Sequence, residues 1–369
     1  MRCFPERSEV KEITDLEFLA EGGGGVVYDV QYGGRGAILK VVETSAGAFD
    51  AECRAIGDLG PHGVCPELIK VLRGENGIIT REGREVGEQA ILMSLCPGDD
   101  LFKLREGPGP SISLGLKTGA IFYTKLAAKL ARAHKMGHFH RDLDPSNVML
   151  ENREDDHSWN GEYSNSDAHI IDFGQTGSSS AKIINKQAYI NPESRFSQCR
   201  DFARGDLYSL GLLIIYLMSE PQKRNKVRLN PSYYQISYYE ELKTSIPNAD
   251  EIFNISEEEL FDLWLNGSKQ EAKAFFEQKL AQAGHSVSFP EDRSPRGIDM
   301  LRKDLSELIA NLPEELHPLL KKLLEIDPKL RMGSAHEAAK ELAEITVKQI
   351  PHLRLEEPFY SLLGRATGM

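Results

Sequence analysis

His138-Phe139-His140-Arg141-Asp142-Leu143-Asp144-Pro145-Ser146-Asn147-Val148-Met149-Leu150 decides how this chain is read. An aspartate and an asparagine stand five positions apart immediately before a hydrophobic strand. That spacing lets Asp142 face a reacting group while Asn147 reaches back to a metal ion beside it. Asp172-Phe173-Gly174 follows the lead His169-Ile170-Ile171 and puts a second candidate metal carboxylate at the end of the next strand.

Upstream, Glu21-Gly22-Gly23-Gly24-Gly25-Val26-Val27-Tyr28 places four glycines between strand-like segments at Leu16 to Leu19 and Gly36 to Val42. Without Cβ atoms such a run lets backbone amides approach phosphate oxygens. Taken alone it is equally the tip of a tight or bulged hairpin. Lys40 lies on the following strand, and Glu52 lies in a segment whose Phe49, Cys53, Ile56 and Leu59 share one helical side. In isolation these two residues would read as a surface ion pair of small energetic weight.

Taken in order, these segments resemble the eukaryotic-type protein kinase family, with a divergent, bacterial or effector-like cast, from about Leu16 to about Leu342. The resemblance implies an α+β, two-lobed protein-kinase-like fold. A small β-rich N-lobe with the nucleotide loop would take 1–95, a larger helical C-lobe 96–345, and a tail 346–369. Gly22 and Gly25 match the second and third glycines of the nucleotide loop, with Ala20 in place of the first. The resemblance assigns Val27 to covering adenine, Lys40 to the α- and β-phosphates and Glu52 to holding that lysine. Met93 resembles the gatekeeper, Ser94 to Cys96 the hinge, and Asp100 a ribose-binding acid.

On the same basis Asp142 would orient a hydroxyl and accept its proton late, while Asn147 and Asp172 would hold Mg2+. Asn191-Pro192-Glu193, Arg331 and Asp206 match structural positions of the family. The implied activity is ATP-dependent transfer of the γ-phosphate to serine or threonine hydroxyls of proteins. Alternatives are a phosphotransferase for a small molecule and a partner-binding kinase-like module with weak activity.

Three departures mark this chain. Asp144 stands where serine/threonine kinases carry a lysine, and a carboxylate there would repel the γ-phosphate unless paired. Lys186, seven residues before Glu193, stands where they carry a threonine, so the two read as one exchange in which Lys186 pairs with Asp144. The other reading is a solvated aspartate and an exposed lysine without contact. Ile38, two before Lys40, replaces a small alanine and would tighten the nucleotide pocket. Between Asp172 and Glu193, Thr176, Ser178, Ser179 and Ser180 offer hydroxyls whose phosphate Arg141 could receive.

Composition narrows the partners. A net charge of −12 opposes a nucleic-acid backbone or an anionic membrane as main partner. Cys3, Cys53, Cys65, Cys96 and Cys199 are scattered, which suggests a reducing compartment and no zinc module. No secretory-type signal opens the chain, and the apolar run Leu207 to Met218 is too short to span a bilayer and reads as a buried helix. The expected location is the cytoplasm, or a host cytosol for a bacterial effector.

Further strands are expected at Leu68–Leu72, Gly77–Thr80 and Gln89–Leu95, and an amphipathic helix at Ser113–Met136. Asn152–Asp167 reads as an exposed polar loop. An insert near 220–295 carries the pairs Tyr233-Tyr234 and Tyr238-Tyr239 and helices near Glu257–Leu265 and Lys269–Ala283, and is a candidate surface for a partner protein.

Overall fold

The computed structural model describes residues 12–22, 25–79, 85–96, 98–107, 114–151, 167–174, 191–195, 201–219, 256–282, 284 and 297–349. Two compact units divide the chain: Met1–Asn185 with Ser334–Met369, and Lys186–Gly333.

In the first unit, strands β1 (Ile13–Gly22), β2 (Gly25–Tyr32), β3 (Arg35–Val41), β4 (Leu68–Ile79) and β5 (Glu85–Ser94) form an antiparallel sheet in the order β1-β2-β3-β5-β4. Side chains alternate between the faces of a strand, and directly paired residues share a face. Val30, Ala37, Leu39, Val41, Ala90 and Leu92 accordingly join Ile13 and Leu72 in one buried cluster. The register pairs Val27 with Lys40, Lys40 with Ile91 and Ile38 with Met93, so these five residues line the opposite face.

The two strands expected at 68–72 and 77–80 are one strand, β4. The polar stretch Gly74-Glu75-Asn76-Gly77 is absorbed as a register shift between Arg73 and Ile78. It does not reverse the chain because β5 runs on beside it, pairing Ile78 with Gly87 and Ile79 with Glu85.

Helix α1 (Ala46–Leu59) starts where the Ser45 hydroxyl accepts from the Ala48 N–H. Its inward stripe is Phe49, Cys53, Ile56 and Leu59, as the spacing predicts, with Glu52 buried beside them. A second small sheet joins β6 (Asp99–Asp100), β7 (Val148–Leu150) and β8 (Ala168–Ile170) in that order, and α2 (Leu101–Glu106) follows β6.

The amphipathic helix expected at 113–136 is α3 (Leu116–Lys135), and it is not amphipathic in its middle: from Gly119 to Ala131 every residue but Lys125 is buried. The reason is a neighbour remote in sequence. Helix Ala335–Gln349 packs along α3, with the buried Thr124 and Thr346 hydroxyl oxygens 3.1 Å apart.

The second unit contains α4 (Phe202–Met218), α5 (Glu257–Asn266), α6 (Lys269–Gln282), α7 (Gly297–Ala310) and α8 (His317–Leu323). The apolar run beginning at Leu207 is the buried helix expected, and Asp206 is buried with it. The two helices expected in the insert are α5 and α6. Thr176, Ser178, Ser179, Ser180, Lys186, the tyrosine pairs and residues 152–166 lie outside the described residues. Among the described residues no helix is long and apolar enough to cross a membrane.

A fully buried ion pair anchors this unit. The Arg331 guanidinium donates to both Glu193 oxygens at 2.6 and 3.0 Å, and also to the backbone oxygens of Glu325 (2.7 Å) and Arg204 (3.0 Å). Its face lies 4.9 Å from the Tyr208 ring centre. Glu193→Ala strands the guanidinium and is expected to cost about 3–5 kcal/mol in urea unfolding, whereas replacing both partners by apolar residues of similar volume costs far less.

Candidate active site

Lys40 is an exception on an apolar strand, 6 % exposed among hydrophobic neighbours. Its ammonium donates to Glu52 Oε1 at 2.6 Å and to Asp172 Oδ1 at 2.7 Å. One cation thereby ties the sheet, helix α1 and the turn after β8. Burial alone would lower the lysine's proton affinity, but the charges of Asp172 and Glu52 outweigh it and raise it. Glu52 is pushed up by its own burial, against the pull of Lys40. Lys40 also holds the Asp172 carboxyl down at about 2, with burial opposing.

Asp172 sits in the left-handed region at φ 62°, a conformation costly for a residue with a side chain. What holds it is the backbone around it. The Ile171 N–H donates to Asn147 O at 2.9 Å, and the His140 ring nitrogen Nε2 lies 2.8 Å from Ile171 O. The same imidazole is fully buried, packed edge-on against Phe173 at 4.9 Å. Gly174 completes the turn. A Cβ there would meet Asp172 Oδ1 at 3.0 Å and Glu52 Oε2 at 3.3 Å, so this glycine lets the helix carboxylate approach. Its contact with Glu52 is beyond sequence reading, because those residues are 122 positions apart.

In the loop before β7, Arg141 also has positive φ (66°). The Asn147 amide nitrogen donates to Asp142 O at 2.8 Å and lies 3.4 Å from Asp142 Oδ2. That orientation assigns its amide nitrogen to Asp142 and leaves oxygen as the ligating end. Asn147 and Asp172 thus offer hard oxygen donors, a donor type that suits Mg2+.

Asp144 is only 2 % exposed, which removes the solvated reading. Its Oδ1 accepts from the Ser146 N–H and hydroxyl, both at 2.7 Å, capping the 3-10 turn Pro145–Asn147 that carries Asn147. The Asp144 cap has a signal in the sequence, since Asp-Pro-Ser is a turn-initiating triplet. Lys186, its suggested partner, lies outside the described residues.

The remaining candidates divide. Gly22 pairs with Gly25 at the hairpin mouth. Gly25 has a backbone reason to be glycine, with φ 123° and a Cβ position only 1.9 Å from Val41 O. Val27, Ile38 and Met93 lie on the Lys40 face of the sheet. Ser94 donates its N–H to Glu67 O and accepts from the Glu67 N–H on its hydroxyl, each at 2.9 Å, which seats the segment that leads to Cys96. Burial pushes the Cys96 thiol up to about 12. Asp100 caps α2, accepting from the Lys103 N–H at 2.8 Å.

The pairing of Asp172 with Lys40 has a pH signature. A carboxyl depressed to about 2 contributes stability that is present above its ordinary value of 3.8 and lost as pH falls through about 2. Thermal melts between pH 6 and pH 2 should therefore show Asp172→Asn less stable than the parent at pH 6, with the difference vanishing across the lower part of that window.

A family model described as a protein kinase domain matches residues 84–343. The DNA damage-responsive serine/threonine-protein kinase RqkA of Deinococcus radiodurans is 31% identical over 217 residues, covering 54% of this chain and 28% of its own length. CBL-interacting protein kinase 22 of rice (Oryza sativa subsp. japonica) is 29% identical over 118 residues, covering 31% and 25%. The chain thus spans about a quarter of the length of each of these relatives. The crystal structure of a double mutant of the Mycobacterium tuberculosis PknI kinase domain aligns with TM-score 0.47 at 20% identity, covering 92% of this chain and 98% of that one. The family model covers well over half of the chain, and with the β-rich first part and helical remainder described above, this chain belongs to the protein kinase domain family.

Proposed function

We propose that the chain transfers the γ-phosphoryl group of ATP to serine or threonine hydroxyls of protein substrates, with Mg2+ as the metal. The observation that carries this reading is the double pairing of Lys40 with Glu52 and Asp172, because it aligns a phosphate-binding cation with a metal-binding carboxylate. RqkA, named a serine/threonine-protein kinase, supports the acceptor class.

Phosphoryl transfer asks a protein mainly to position groups and neutralise charge. In this reading Lys40 exchanges part of its contact with Asp172 for the α- and β-phosphates, while Glu52 keeps it on the sheet. Asp142, with its backbone oxygen bonded to Asn147, orients the acceptor hydroxyl and takes its proton late. Val27, Ile38 and Met93 give the base an apolar wall, and the larger Ile38 side chain makes that wall closer than alanine would. Asn147 and Asp172 would hold Mg2+, which when bound supplies neutralisation of the phosphate oxygens. A cytoplasmic setting fits the free thiols of Cys53, Cys65 and Cys96.

The test is transfer of label from γ-labelled ATP in a protein mixture and in a metabolite mixture. Asp142→Asn should lower kcat by about 10²- to 10⁴-fold with little change in the KM for ATP. Label found only in metabolites would replace the protein-kinase reading by the small-molecule one, and no label with any divalent ion would refute both.

A further inference from the structure

Lys129 is a second buried lysine, 2 % exposed in the middle of α3, and neither the chemistry above nor the family resemblance uses it. A buried ammonium is retained only if it is paired and hydrogen-bonded. Here its Nζ donates to the backbone oxygen of Ala168 and lies 3.0 Å from Asp167 Oδ1. Ala168 opens β8, the strand that leads to Asp172, and Asp167 immediately precedes it.

Around Asp167, ligand atoms of Glu151, Asp167 and His169 all lie within 4.8 Å of one another, with Glu151 and His169 paired at 3.4 Å. Such a group suggests a metal ion. The ammonium on Asp167 already supplies a cation from within the chain, so the cluster is an ion-pair network with Lys129 as its positive member. The charges agree: burial would raise the Asp167 carboxyl, yet Lys129 holds it below its usual range, and burial together with Lys129 lowers the proton affinity of His169.

β8 needs such an anchor. It has three residues, lies at the edge of its sheet and is paired with β7 on one side. Its other side is held by the Ile170 N–H donating to Val64 O at 2.9 Å. From Ala168 to Asp172 is four residues, at most about 13 Å of extended chain, with no slack to absorb a shift at the first of them.

Resting on the kinase reading, we propose that Lys129 is a positioning residue: by clamping Ala168 and Asp167 it sets the height of β8 and so the placement of the Asp172 carboxylate beside Asn147 for a divalent cation. The ammonium acts through the strand and touches neither nucleotide nor metal.

The experiment compares the parent protein with Lys129→Met, with Lys129→Met combined with Asp167→Asn, and with Lys129→Gln. The readouts are Mn2+ affinity in the presence of a non-hydrolysable ATP analogue and amide hydrogen exchange at Ile170 and Ile171. Lys129→Met alone takes the cation from the half-buried Asp167 carboxylate and the donor from the Ala168 oxygen, and loses stability; the double variant removes both charges and should melt within a few degrees of the parent. Despite that recovered stability, its Mn2+ affinity should fall about tenfold or more, and exchange at Ile171 should quicken. Lys129→Gln keeps a donor for the Ala168 oxygen and should regain most of both. A stable double variant with parental affinity and exchange would overturn the proposal, as would equal losses in the Gln and Met variants. If the parent transfers no phosphate at all, the kinase reading fails alone, since exchange at Ile171 still decides the role of Lys129.

Discussion

The site depends on one buried cation shared by two carboxylates. Lys40 is placed in an apolar interior by the pleat of β3, where an unpaired ammonium would be strongly unfavourable. Glu52 and Asp172 make its burial tolerable, and each is in turn held by it. Three elements remote in sequence are thereby brought to common coordinates: a strand, a helix and a turn held at positive φ. Because the pair with Glu52 is desolvated on both sides, it has far more geometric consequence than an exposed lysine and glutamate would have.

A second set of constraints is carried by the backbone. His140, Asn147 and Ile171 strap the segment before β7 to the turn after β8 through two hydrogen bonds near 2.9 Å. Asp144 closes the short turn before β7 through Ser146. Its carboxylate is buried as part of the scaffold for Asn147. Lys129 at the other end of β8 belongs to the same design, in which charged side chains are spent on placing main chain.

Patterns within one element were readable. The strand expected from Gly36 to Val42 carried Lys40, and the spacing of Phe49, Cys53, Ile56 and Leu59 marked the buried stripe of α1. The five-residue step from Asp142 to Asn147 announced the site because both residues lie in one short loop. What escaped depended on neighbours distant in sequence. The middle of α3 is buried on all sides only because helix 335–349 covers what would be its polar face. The interruption in β4 did not become a turn because β5 lies alongside. Gly174 owes part of its identity to a carboxylate on another element.

By itself, the chain's order of residues determined the class of fold and which side chains were candidates for phosphate and metal chemistry, since periodicity and short spacings are local properties that survive without knowledge of the partner. Only the tertiary structure decided that Lys40 reaches both carboxylates, that Asp144 is buried, and that Lys129 grips the strand leading to Asp172. Those are outcomes of packing, in which the low polarity of the interior forces each buried charge to find a partner wherever the fold brings one within reach.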